Sequence, residues 1–283
     1  MSPKTKEKHI KNAKGKRGRQ INKTSRYILN RMIGANSNDK NSANLKGKGE
    51  LTDLETLFTQ RQDRLWNALE ERYQYNTSIK RGQDFLLKHV SSKIPLVIMY
   101  ADLVGSTKMS MTLPVDKVVT IVRAFSHEMS SVVESHDGYV LKYVGDAVIA
   151  FFSSGFNKYL TCDKAVRCAQ SMINVVKNGI SPILNRYVFP ELMVKVGIDE
   201  GENVVVQYAY DKSSQIDILG YTMNVAAKIT SLTNPNRVSV GENIYKLLHP
   251  GIQPEFHELA YGTDEWDYIN RDTGNIYKVY TQS

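Results

Sequence analysis

Apolar positions change their spacing several times along the chain, and each change marks an element. Residues 1–50 have no apolar period and are rich in Lys, Asn, Ser and Gly. They read as a disordered tail with a short helix around 27–32. From residue 51, Leu51, Leu54, Phe58, Leu65, Leu69 and Tyr73 fall mostly at helical spacing, and no proline interrupts before Pro95. Residues 51–92 therefore read as one or two helices, which either pair with a second copy of the chain or pack on their own domain. From Lys93 the period alternates between two and 3.6. Strands are predicted at 96–102, 139–143, 147–152, 192–198, 204–208, 238–240 and 276–281. Helices are predicted at 115–136, 163–178, 221–232 and 242–248. Val144-Gly145-Asp146 joins two of the strands as a hairpin turn, and Gly201 joins another two. The sum is one α+β domain at 93–283, without internal repeats.

Composition changes this picture little. With 283 residues and 41% apolar positions, the chain is globular and able to bury a sizeable core. The longest strongly apolar run, from Pro95 to Ala101, is far short of the roughly 18 residues of a membrane span. No apolar stretch follows the basic N-terminus, so no secretory signal is expected and a cytoplasmic location is. Cys162 and Cys168 read as small core residues rather than a disulfide framework.

Charge is more informative once it is located. The net +8 comes from 37 Lys and Arg against 29 Asp and Glu. Residues 1–50 hold 14 of the basic and 3 of the acidic residues, a net of +11, which leaves −3 for the remainder. Only the tail is basic. Its expected partners are anionic lipid or nucleic acid, against the alternative of a solvated tail that binds nothing.

Three segments carry candidate chemistry. In Ala101-Asp102-Leu103-Val104-Gly105-Ser106-Thr107 an acid ends a buried strand and a small Gly-containing turn opens a helix. A carboxylate there suits a hard cation, and turn N–H groups suit phosphate oxygens. In Lys142-Tyr143-Val144-Gly145-Asp146 a second acid tops the hairpin. In Asp217-Ile218-Leu219-Gly220 an acid interrupts an apolar stretch. The helix that follows sets Asn224 and Lys228 one turn apart on one face. Taken singly, these read as a capping Asp, a hairpin turn and a solvated helix face.

Together, in this order and spacing, they resemble the class III nucleotidyl cyclases, the adenylate and guanylate cyclases, over roughly residues 94–280. The resemblance implies a ferredoxin-like core sheet with flanking helices. It also implies a homodimer whose two active sites lie at the interface and draw on both chains. By motif match Asp102 and Asp146, with the Leu103 carbonyl, would hold two divalent cations, Mg²⁺ or Mn²⁺. Val104, Gly105, Ser106 and Thr107 would cradle phosphates, and Asn224 would orient the ribose. Lys228 stands where the family most often has Arg, so it keeps the charge and loses the planar fork. Arg271 falls at the place of a Lys that reaches the γ-phosphate.

Lys142 and Asp217 would select the base. Lys only donates and ionised Asp only accepts, which complements the ring acceptor and amine of adenine and opposes guanine. ATP, giving cyclic AMP and pyrophosphate, is the expected substrate. Cytosine presents the same edge, which leaves a pyrimidine cyclase of bacterial antiviral signalling as the alternative, cytidylate before uridylate. A nucleotide-binding pseudo-cyclase is the second alternative, since Lys228 and the C-terminus depart from the pattern. The six histidines lack metal spacing, and Ser106 and Thr107 lack a partner base at recognisable spacing, so a hydrolase is not supported.

Overall fold

The computed structural model describes residues 78–155, 157–185, 189–209, 214–262 and 266–283. The tail and residues 51–77 of the helical segment lie outside the described residues. The segment's remaining part begins with α1 (Ser78–Leu87).

The core follows the order β1 (Lys93–Val104), α2 (Ser106–Thr112), α3 (Val115–Ser135), β2 (Tyr139–Val144), β3 (Ala147–Ser153), α4 (Lys158–Asn174) and α5 (Ser181–Asn185). It continues through β4 (Met193–Gln207), β5 (Ile216–Leu219), α6 (Tyr221–Leu232), β6 (Arg237–Gly241), α7 (Glu242–Leu247), β7 (Phe256–Glu258) and β8 (Val279–Gln282). The described strands form one sheet in the order β2-β3-β1-β4-β6-β8-β7, with β5 paired to β4. Its antiparallel β2-β3-β1-β4 portion is the ferredoxin-like core that was expected, and β4 and β6 pair in parallel.

β1 is buried on both sides, so its apolar residues run consecutively instead of alternating. Val97, Met99, Ala101 and Leu103 meet Phe125, Met129 and Val133 of α3 and Ala165, Cys168 and Met172 of α4. Leu96 and Ile98 face the other way, into a cluster with Leu86 of α1, Ile216 and Ile218 of β5, and Met223 and Ala226 of α6. Both cysteines are buried and free, as core residues should be.

Three elements depart most from what the pattern predicts. The stretches at 192–198 and 204–208 are one strand, β4, because Gly201 continues the ladder opposite Leu96. Gly201 is needed for closeness: a Cβ there would lie 2.4 Å from Oγ1 of Thr222. The helix predicted at 163–178 starts earlier, where Asn157 caps it by accepting from the Leu160 N–H, and it passes into a π-helical turn at Val175–Ile180. The closing strand is shorter, Val279–Gln282, because Tyr277 leaves the ladder to pack against α6.

Candidate functional site

Asp102 sits two residues before the end of β1, opposite Ala147, the first residue of β3. The hairpin turn at Gly145 (φ 62°) sets Asp146 immediately before that pairing, so the two carboxylates are neighbours. Burial and the field of Asp146 push the Asp102 carboxyl above the usual carboxylate range, and Lys195 opposes them. Lys195 is the register partner of Asp102 on β4, with its Nζ 4.0 Å from Asp102 Oδ2. Its position could not be read from the sequence, where one Lys between Val194 and Val196 looks like a solvent-facing strand residue. Only the long-range register brings it to the carboxylates.

Beyond Asp102 the buried Leu103 leads into the turn at Gly105, whose φ of 80° favours glycine; open space surrounds its Cβ position. Two adjacent carboxylates suit a divalent cation. Among the described residues, however, no group of three or more His, Cys, Asp and Glu is arranged to hold one. The donor set fits an oxygen-loving ion that takes its remaining ligands from a backbone carbonyl, water and substrate, as Mg²⁺ commonly does.

Lys142 is aimed by a β-bulge. Val140 pairs with Ala150, and Lys142 with Ile149, so an extra residue is accommodated between them. The bulge turns Lys142 onto the face of Ile149, whose partner on β1 is Tyr100. Lys142, Ile149 and Tyr100 thus form a row across three strands. Lys142 donates to Asp217 Oδ2, and Asp217 is almost entirely buried. Asp217 also helps raise the Tyr100 phenol, after burial, so the ring lies within its field. Tyr100 is a second residue that pattern reading missed, because it sits inside an apolar strand run.

Asn224 and Lys228 are exposed on α6, whose other side packs tightly on β4. A Cβ on Gly197 would lie 2.5 Å from the Thr230 nitrogen. α6 therefore runs along β4 from Gly201, beside Thr222, to Gly197, beside Thr230. Gly201 is the partner of Leu96, and Asp102 lies six residues further along β1. At about 3.3 Å per residue, some 20 Å of strand separates the start of α6 from the carboxylates. One chain thus brings Asp102, Asp146 and Lys195 together, and Lys142 with Asp217, and carries Asn224 and Lys228 on the exposed face of α6. Arg271 lies near the start of α6, its guanidinium 4.4 Å above the Tyr221 ring.

Comparison with known proteins identifies relatives of the chain and of its fold. The chain is 25% identical over 161 residues to a cytidylate cyclase of Escherichia coli, spanning 54% of this chain and 35% of the relative. It thus covers only about a third of that protein's length. It is 26% identical to a uridylate cyclase of Burkholderia cepacia, over 74% of this chain and 89% of the relative. The fold matches the crystal structure of the adenylyl cyclase CyaB from P. aeruginosa with a TM-score of 0.57 at 19% identity, covering 68% of this chain and 95% of that one. The family model for the adenylate and guanylate cyclase catalytic domain matches residues 90–265. With more than half of its length matched, the chain belongs to the adenylate and guanylate cyclase catalytic domain family.

Proposed function

We propose that the protein is a nucleotidyl cyclase that converts CTP to 3′,5′-cyclic CMP and pyrophosphate at the interface of a homodimer. The carrying observation is the Lys142–Asp217 pair with Tyr100 beside it. The pair offers one set of donors and one acceptor, which complements the ring acceptor and exocyclic amine of cytosine or adenine. Guanine and uracil each carry a ring N–H where that edge needs an acceptor. Between the two matching bases, the smaller one is preferred, because Tyr100 lies on the same row as Lys142 and would narrow the space for the base. Likeness to a cytidylate cyclase points the same way. ATP is the second reading, because the polar edge alone does not separate it from CTP.

In the reaction the ribose 3′-oxygen forms a bond to the α-phosphorus and the bond from that phosphorus to the pyrophosphate oxygen breaks. Asp102, Asp146 and the Leu103 carbonyl would hold Mg²⁺ or Mn²⁺, which when bound helps deprotonate the 3′-hydroxyl and neutralises the leaving group. Asn224, from the second chain, orients the ribose. Lys228, one turn further along α6, lends positive charge to the α-phosphate oxygens. Backbone N–H groups of Val104, Gly105, Ser106 and Thr107, with Lys195 and the second chain's Arg271, receive the β- and γ-phosphates. Lys142 and Asp217 satisfy each other, so a base must replace both interactions to enter. A base with the wrong edge leaves the buried Asp217 and the half-buried Lys142 unpaired.

The test offers ATP, CTP, GTP and UTP separately with Mg²⁺ or Mn²⁺ and identifies the product by mass. Cyclic CMP as the main product is expected. Cyclic AMP with no cyclic CMP would move the assignment to ATP, and product from GTP or UTP alone would overturn the base-reading pair. Nucleotide binding without any cyclic product would make the protein a pseudo-cyclase.

A further inference from the structure

The C-terminal segment between β7 and β8 is built around one side chain. Asn270 is buried, and its Oδ1 accepts from the N–H groups of Asp272 (2.9 Å) and Thr273 (3.2 Å). Its Nδ2 donates to Glu242 Oε1 on α7, whose other oxygen holds Lys246 at 2.9 Å. The turn is closed by the Asn270 N–H to the Asn275 carbonyl and the Gly274 N–H to the Asn270 carbonyl, both 2.8 Å. Its base is fixed by Trp266 Nε1, which donates to the Tyr277 carbonyl at 2.7 Å, and by the Tyr277 hydroxyl, which donates to buried Asp199 at 2.6 Å. The exposed Arg271 at the tip thus rises from a rigid mount. Tyr221, the first residue of α6, completes it: its ring lies under the guanidinium at 4.4 Å, and its hydroxyl donates to the Ile269 carbonyl at 2.7 Å. Asn224 follows three residues later, on the adjacent part of the same helix face.

We propose that Tyr221 is a positioning residue that holds the Arg271 guanidinium in place for the terminal phosphates of the nucleotide. This rests on the reading of Arg271 as a triphosphate ligand. An exposed Arg samples many rotamers, and stacking on an aromatic face removes most of them before substrate arrives. The guanidinium keeps its N–H edge free while its face is occupied, so the platform does not compete with phosphate. Placement near Asn224 fixes the reach from ribose to terminal phosphate.

The test uses the full chain and compares Arg271→Ala, Tyr221→Leu, Tyr221→Phe and the Arg271→Ala/Tyr221→Leu pair. Two readouts are taken: KM and kcat for the triphosphate that is turned over, and equilibrium binding of inorganic triphosphate, which reports the phosphate end alone. Arg271→Ala and Tyr221→Leu should each weaken both affinities by about fivefold, the scale of a partly exposed cation–π contact. kcat should change less, and the double variant should be no worse than either single one. Tyr221→Phe should restore affinity relative to Leu, since it keeps the ring. If Arg271→Ala leaves affinity intact, the reading of Arg271 itself fails. If Arg271→Ala weakens binding while Tyr221→Leu does not, or if the two effects multiply, the platform is overturned and Arg271 stands. Should Tyr221→Leu fail to fold, Arg271→Lys carries the test. It keeps the charge without the planar stack, so a loss close to that of Ala supports the platform and full retention overturns it.

Discussion

Asp199 lies wholly inside the fold on β4, with the Tyr277 hydroxyl donating to it and Glu200 and Glu242 close enough to oppose its charge. Burial, more than those neighbours, pushes its carboxyl up to about 8. An unfolded chain would ionise this group near pH 4. Between about pH 4 and pH 8 the unfolded state therefore releases a proton that the folded state keeps, and stability falls as pH rises, by up to about 1.4 kcal/mol per unit. Above pH 8 the loss is complete and the contribution levels off. Asp199→Asn keeps the shape and an acceptor for Tyr277 but cannot ionise. Thermal denaturation should give similar Tm values for the two proteins near pH 4.5 and a higher Tm for the variant at pH 8. A Tm difference that does not change with pH would show that Asp199 is charged in the folded protein. The same scale separates what is legible in the sequence from what is not. Asp102 and Asp146 declare themselves because each is an acid in a place that strands and hairpin turns otherwise fill with apolar or small residues. Lys195 and Tyr100 do not, because their roles come from partners on other strands and their local context looks ordinary.

At the level of elements, α6 owes its position to two glycines on β4. A Cβ on Gly197 would come within 2.2 Å of Thr230 Oγ1 and 2.8 Å of the Ala226 carbonyl oxygen. The helix backbone cannot yield without moving, so Gly197→Ala should cost about 2 kcal/mol, the usual scale for overpacking. That is about 6 °C in Tm for a domain of this size. Because α6 carries Asn224 and Lys228, turnover should fall as well; an unchanged Tm measured by calorimetry would contradict this close packing. Hydrophobic period located α6 to the residue, since its buried face repeats cleanly from Thr222 to Thr230. It misjudged β4, where Gly201 looked like a break. A glycine that turns the chain and one that admits a helix are the same letter, and only the opposite element tells them apart. β5 and β7 escaped the pattern for another reason: at four and three residues they are too short to show a period.

For the whole molecule, the net charge of +8 conceals a cyclase-family region that is slightly acidic. In the proposed reading a triphosphate is held by local groups, Lys195, Lys228 and Arg271 with a divalent cation, and not by a long-range positive field. In the proposed site those groups come from two chains, so the fold could be read from one sequence more fully than the active site. The most direct measurement of this two-chain cyclase site mixes two inactive variants, Asp102→Ala and Asn224→Ala, after unfolding and refolding them together. Each alone should lack activity, because every site of its homodimer has lost one half. A mixed dimer loses both halves in one site and keeps both in the other. With random pairing about half the dimers are mixed, so about a quarter of the wild-type cyclic nucleotide production should return. A mixture as inactive as its parts, beside an active wild-type protein refolded in the same way, would contradict a site shared between two chains.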